Sequence, residues 1–264
     1  MDGATTLFGT PDPITDMTAF PPHTPSRDAD AARMTSLRDG YRALIFGANG
    51  ALGQAWMQAL QADPRCATVH GLSRGSNPPI ELQDESSLRR AAEAIRHAGP
   101  FQLVLDATGA LSIDGRGPEK RLDDLSTASL LQAMQVNAIG PALLLKYFAP
   151  CLATGERVIW AKLSARVGSI EDNRKGGWYG YRASKAALNM LLQTAAIEMA
   201  RRRPLAVVAA LQPGTVRSAL SRPFVEDSAM DPDDSARLML STLDLLQASG
   251  RAHFVDYRGA AIPW

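Results

Sequence analysis

The stretch Ala43-Leu44-Ile45-Phe46-Gly47-Ala48-Asn49-Gly50-Ala51-Leu52-Gly53 decides the fold: an apolar run breaks into glycines three residues apart and passes straight into a helix-forming segment. Strand, glycine turn and helix start make a ready pyrophosphate site, because backbone N–H groups and the helix dipole face the anion while the glycines let it approach. Gly47, Gly50 and Gly53 occupy the turn, with Asn49 and Leu52 between them as further candidate contacts. Methyltransferases and purely structural turns use similar triplets. What favours a dinucleotide site is the position of this loop, after the first strand of an alternating series.

Downstream, β-rich runs at residues 68–72, 80–82, 103–107, 158–162, 205–211 and 253–256 follow the first run at 43–46. They alternate with helical patterns at 52–61, 85–97, 126–136 continuing through 143–148, 181–201 and 235–247. The alternation predicts an α/β fold: a single doubly wound domain over residues 41–264, with a parallel sheet of about seven strands and helices on both faces. Pro204 ends the fifth helix and sends the chain into the next strand. Residues 1–40 carry Pro11, Pro13, Pro21, Pro22 and Pro25 among Thr, Asp and Ser, and read as a mobile extension. A strap anchored by Phe8 and Phe20, or a true start at Met34, are the alternatives.

Across 264 residues, 28 Lys+Arg balance 27 Asp+Glu, which argues against nucleic acid or an anionic membrane as the main partner and for a small molecule. The 45% apolar share supports one substantial core. Cys66 and Cys151 form neither a disulfide framework nor a metal-ligand pattern, so no metal is expected and a reducing, cytoplasmic compartment is. The longest apolar run, residues 139–145, is interrupted by Gly140 and Pro141 and falls short of a membrane span. Asp2, Pro11, Asp12 and Pro13 leave no basic start or apolar stretch for a signal peptide.

The second strand ends Val69-His70-Gly71-Leu72-Ser73-Arg74. An acidic side chain there would bind the adenine ribose of NAD, whereas a basic one accepts the extra phosphate of NADP. Ser73 and Arg74 therefore favour NADP(H), with NAD(H) still possible, although an arginine in a loop can also simply face solvent. Farther on, Tyr181 and Lys185 stand four residues apart and so share one helix face. An ammonium beside a phenol favours the phenolate and suits the tyrosine to proton transfer.

The order glycine loop, Asn137, Ser164, Tyr181, Lys185 and Pro213-Gly214-Thr215 closely resembles the short-chain dehydrogenase/reductase family over residues 41–264. The words Asp106-Ala107-Thr108-Gly109-Ala110-Leu111, Val136-Asn137-Ala138-Ile139-Gly140-Pro141-Ala142 and Gly176-Gly177-Trp178-Tyr179-Gly180-Tyr181 look like its C-factor branch. The resemblance implies a Rossmann-type fold and an oxidoreductase that interconverts a carbonyl and a secondary alcohol. Tyr181 would be the general acid/base, Lys185 would lower its pKa and hold the nicotinamide ribose, and Asn137 would hold a water linking Lys185 to solvent. A buried Asn137 that only serves a helix kink is the alternative. Asp106, Ala107 and Gly109 would line the cofactor, Glu81 and Leu82 would meet the adenine, and Pro213, Gly214 and Thr215 would close on the nicotinamide. It further implies a homodimer or homotetramer through two helices bearing Leu130, Leu131, Met134 and Leu143, and Leu188, Leu191, Leu192 and Met199.

Three departures stand out. Ala51 occupies a position where the family usually has glycine; Arg217 lies in the region that shapes the substrate pocket; and, counting back from Gly168, the substrate-orienting serine falls on Ala165. Ser164 or, less directly, Ser169 would have to replace it. Losing such a donor costs about 10²–10³ in rate, so a second function stays open: a dinucleotide-binding signalling or interaction protein with little turnover. A methyltransferase fits the set Tyr181, Lys185 and Asn137 poorly.

Overall fold

Alternation along each strand sorts the interior into two layers, one on either side of a parallel sheet. In the computed structural model, which describes residues 33–218 and 229–264, the strands are β1 (Tyr41–Phe46), β2 (Cys66–Leu72), β3 (Leu103–Asp106), β4 (Val158–Leu163), β5 (Ala206–Gln212) and β6 (Ala252–Asp256). They pair in the order β2-β1-β3-β4-β5-β6, all parallel. The helices are α1 (Ala51–Gln61), α2 (Glu85–Ile95), α3 (Thr127–Met134), α4 (Gly140–Phe148), α5 (Tyr179–Arg202) and α6 (Pro232–Leu245). Phe46, Val104, Trp160 and Val208 pack with Leu88 of α2, Phe148 of α4 and Leu188 of α5. Ile45, Leu105, Ile159 and Val207 pack on the other face with Trp56 of α1 and Met239 of α6. From β1 the chain passes first to β2 on one side and then to β3 on the other, so the crevice where doubly wound sheets bind ligands opens at the carboxyl ends of β1 and β3.

Two sequence expectations change. The sheet has six strands among the described residues, because residues 80–82 form no strand. Ile80 is buried, but its N–H bonds back to the Ser73 carbonyl at 3.0 Å, which spends its hydrogen bonding on the turn after β2. The core also draws on residues upstream of Tyr41. Met34 and Leu37 join the core under α1, the Met34 N–H donates to Asp63 Oδ2 at 3.0 Å, and Thr35 Oγ1 donates to Asp244 Oδ2 at 2.6 Å. The rest of the expected N-terminal extension, residues 1–32, lies outside the described residues.

The helix expected at 126–136 continues through 143–148 as the sequence suggests, across Gly140 and Pro141. A π turn over Gln135–Ile139 joins α3 to α4, giving a helical stretch Thr127–Cys151 that contains an 18-residue window of mean hydropathy 1.3, long and apolar enough to cross a membrane by length and composition alone. Its inner side, with Ala138, Leu144 and Phe148, belongs to the domain core, while Leu131 and Ile139 are exposed.

Candidate active site

The glycine loop needs its glycines. Gly47 takes φ +75°, and a Cβ there would lie 3.1 Å from the Ala107 carbonyl carbon and the Thr108 nitrogen; one on Gly53 would overlap the Gly47 carbonyl oxygen. With Gly50 at the N-cap, α1 starts without a side-chain cap and without an acidic residue in its first turn. Backbone donors at a positive helix end are thus left for an anion. Leu52 packs its side chain toward the core, which leaves only its backbone for a ligand. Asn49 leans toward the turn after β2, its Nδ2 3.3 Å from where a Cβ on Gly75 would stand.

In that turn Ser73 is structural. It is buried, its Oγ accepts from the Gly75 N–H at 3.2 Å, and its own N–H donates to Ser76 Oγ at 2.9 Å. Arg74 is exposed, and its guanidinium makes no hydrogen bond or ion pair among the described residues. Glu81 is exposed, and the Leu82 Cβ would lie 2.7 Å from a Cβ on Gly140. That near overlap is why the helix carries glycine there.

Past β3, Asp106 turns inward instead of lining the crevice with its side chain. It is 1% exposed, and Oδ1 accepts from Thr108 N (2.8 Å), Thr108 Oγ1 (2.5 Å) and Lys162 Nζ (3.0 Å). Ala107 stands against Gly47. A Cβ on Gly109, which has φ +133°, would sit 3.1 Å from Asn137 Oδ1 and 3.5 Å from Lys185 Nζ, so only a bare backbone fits between those side chains.

Asn137 is buried in the π turn and grips one residue twice, its Oδ1 accepting from the Ala110 N–H and its Nδ2 donating to the Ala110 carbonyl, both at 2.9 Å. Pro141, four residues on, has no N–H to return to the Asn137 carbonyl, which explains why the helix loosens here.

Tyr181 and Lys185 stand one turn apart on α5, with the Lys185 Nζ 5.7 Å from the Tyr181 ring centroid. Lys185 is buried and donates to the Leu163 carbonyl at 3.1 Å. Desolvation first, and then the nearby Lys162, bring its pKa down to about 7 against the opposing pull of Asp106. The Tyr181 phenol is pushed up to about 12 by burial. The expectation that a neighbouring cation makes it acidic is therefore reversed in the protein alone: desolvation outweighs an ammonium that is itself half neutral near pH 7.

Both serines considered as replacements at Ala165 are engaged elsewhere. Ser164 is buried at the end of β4, and its Oγ donates to Asn189 Oδ1 at 2.7 Å. Ser169 Oγ accepts from the Asp172 N–H at 3.0 Å and so caps its own loop. Beyond β5, Pro213 accepts from Ser235 Oγ at 2.7 Å, Gly214 takes φ +82° against the Tyr257 ring, and Thr215 is exposed at the crevice edge. Arg217 pairs with Asp231 at 2.9 Å; residues 219–228 lie outside the described residues.

Two residues escaped the sequence reading. Glu119 Oε2 accepts the Gly180 N–H at 2.9 Å and so caps the start of α5, where Trp178 takes φ +52°. Its signal was only an acidic residue in a loop. Lys162 reads as the polar end of a strand, yet it is fully buried. Glu119, Leu111, Gln132, Asn137 and Tyr181 border a cavity of about 30 Å³. No group of three or more His, Cys, Asp or Glu arranged for a metal occurs among the described residues.

Comparison with known proteins places these features in context. A family profile described as Enoyl-(Acyl carrier protein) reductase matches residues 58–245. The C-signal of Myxococcus xanthus is 34% identical over 167 residues, 63% of this chain and 94% of that protein. The 1-hydroxy-2-glutathionyl-2-methyl-3-butene dehydrogenase of Rhodococcus sp. is 26% identical over 189 residues, covering 71% and 79% of the two chains. Among solved structures, the NADPH-bound carbonyl reductase from chicken fatty liver superposes with TM-score 0.75 at 23% identity, covering 88% of this chain and 96% of that one. The carbonyl reductase Sniffer of D. melanogaster gives 0.73 at 22%, covering 85% and 99%.

Proposed function

The chain belongs to the short-chain dehydrogenase/reductase family, and from that premise we propose that it is an NADP(H)-dependent oxidoreductase interconverting a carbonyl and a secondary alcohol. The observation that carries the reading is the meeting of Tyr181, Lys185, Asn137 and Gly109 at the mouth of the switch-point crevice that also holds the glycine loop. The cradle fits a dinucleotide: Gly47, Gly50 and Gly53 leave room and open donors for a pyrophosphate, and Arg74, without a partner among the described residues, suits a ribose phosphate. Glu81, Leu82, Ala107 and Gly109 would flank the adenine end and the middle of the cofactor, and Pro213, Gly214 and Thr215 its nicotinamide end. When bound, the nicotinamide supplies or accepts the hydride.

The chain's own part is placement and proton transfer. Tyr181, protonated across the physiological range because burial holds its pKa near 12, gives its proton to the carbonyl oxygen. Lys185, with a pKa of about 7, can restore that proton, and the cavity beside Asn137 has the size for one or two waters leading outward. The free Cys66 and Cys151 agree with a reducing, cytoplasmic setting.

One observation favours a second reading, a dinucleotide-binding signalling protein with little turnover. Position 165 is alanine, and both neighbouring serines are committed to other partners. NADPH oxidation over a panel of aldehydes and ketones, with binding followed by nucleotide fluorescence, separates the two. Turnover is expected; tight binding with no consumption of NADPH across the panel would favour the signalling reading. In the same titrations Arg74→Ala should weaken NADPH at least tenfold and NADH little. Equal losses would remove the NADP assignment.

A further inference from the structure

The lysines of this chain are Lys120, Lys146, Lys162, Lys175 and Lys185. Two of them, Lys162 and Lys185, are buried in one cluster. Burying an ammonium is costly unless it is paired, and a strand end would accept any apolar residue in place of Lys162. The pairing register of β3 and β4 sets Lys162 directly beside Asp106, and the side chains meet at 3.0 Å with each 1% exposed or less. Lys162 Nζ also bonds the Thr108 carbonyl and lies 3.1 Å from Thr108 Oγ1. The segment from Asp106 to Ala110 is therefore clamped at one end by Lys162 and at the other by Asn137, with Gly109 between them against Lys185.

We infer that Lys162, paired with Asp106, is a positioning residue for the Tyr181–Lys185 couple: it fixes the Asp106–Ala110 segment under the site and governs the pH at which Lys185 carries its proton. The inference rests on the proposed role of Lys185. The charged and polar groups facing Lys185 are Asp106 from β3, Lys162 from β4, Tyr181 one turn back on α5, Asn137 from the π turn and the Leu163 carbonyl that ends β4, with Gly168 of the following turn against its backbone. Of the two charges, the Lys162 repulsion outweighs the Asp106 attraction, in accord with the depressed value of Lys185. Lys162 is itself pulled down by burial, a shift that the paired Asp106 opposes. Asp106 Oδ2 is buried and has no hydrogen-bond partner among the described residues, so the carboxylate retains accepting capacity toward this cluster.

The sign of the effect follows. Lys162→Met removes the repulsion and leaves the attraction, so the Lys185 midpoint should rise by about one pH unit or more. Lys162→Asn combined with Asp106→Asn removes both charges, and the midpoint should rise by less. The double variant also covers the case in which the single variant fails to fold around an unpaired carboxylate.

The test is a pH titration of the full chain labelled with ¹³Cε-lysine, read by NMR, with Lys185 assigned by its absence in Lys185→Met. The expected order of midpoints is wild type, double variant, Lys162→Met. An unchanged or lowered Lys185 midpoint in the folded variants would overturn the inference. This readout needs no turnover. A wild type that binds NADPH but consumes none would therefore sink the enzyme reading while leaving the titration decisive for Lys162. Where turnover is measured, the pH limb of the reduction rate should move with the midpoint, whereas a purely structural Lys162 would lower the rate without moving the limb.

Discussion

At the scale of single residues, position 165 carries the sharpest consequence. In the protein the Ser164 hydroxyl belongs to Asn189 and that of Ser169 to its own loop, so no serine of this segment is free for a substrate oxygen. On the proposed reading Tyr181 alone would hydrogen-bond the developing oxyanion. Ala165→Ser should then raise the rate of carbonyl reduction, by about tenfold for each ~1.4 kcal/mol of transition-state stabilisation it supplies. Ser164→Ala should leave the rate within a few-fold and act chiefly on stability, at a cost of about 1–3 kcal/mol for the orphaned Asn189 acceptor. Rates for both variants on one ketone decide this; a fall of about 10²-fold in Ser164→Ala would restore Ser164 as the donor. Ser164 was attractive in the sequence because only its neighbour on the chain mattered there. In a strand, successive side chains point opposite ways, and one position of shift is enough to turn a hydroxyl away from the crevice.

Whole elements were legible where hydrophobic period and punctuation agreed. Residues 43–53 announce strand, turn and helix because the apolar run ends on glycines that the backbone requires, and α5 and α6 lie within three residues of their sequence limits. The strand expected at residues 80–82 fails because so short a run cannot reveal that its hydrogen bonds go to its own turn. Lys162 hid at a strand end, since only the register of β3 against β4 brings Asp106 beside it. Helix faces were also partly misjudged. Leu188 and Leu192, expected on an association surface, lie in the core, whereas Leu131 and Ile139 of the α3–α4 stretch and Met190, Leu191 and Ile197 of α5 are exposed. These five side chains would supply apolar surface to the homodimer or homotetramer that the family resemblance implies. Replacing Leu131 and Met190 by glutamate should convert the assembly to monomer with the fold intact, as read by light scattering and circular dichroism at micromolar protein. A wild type that is already monomeric would remove the proposal.

At the scale of the molecule, one sheet explains why distant segments act together. Parallel strands bring the glycine loop after β1, the clamp after β3, the turn after β4 and Pro213–Thr215 after β5 to one edge, and α5 lays Tyr181 and Lys185 across it. The sequence reached this arrangement through the order of its motifs. It did not reach the electrostatics, because burial depth is a property of the folded whole: desolvation, not the adjacent ammonium, decides Tyr181, and a second buried lysine helps to decide Lys185. On the proposed function, Tyr181 transfers the proton during NADPH-dependent carbonyl reduction. The most direct test of that role is the steady-state rate of NADPH oxidation by wild type and Tyr181→Phe on the same ketone, alongside fluorescence titration of NADPH into each. The phenylalanine variant should lose at least about 10²-fold in kcat with NADPH affinity within a few-fold of wild type; turnover of the variant at the wild-type rate would rule out Tyr181 as the proton donor.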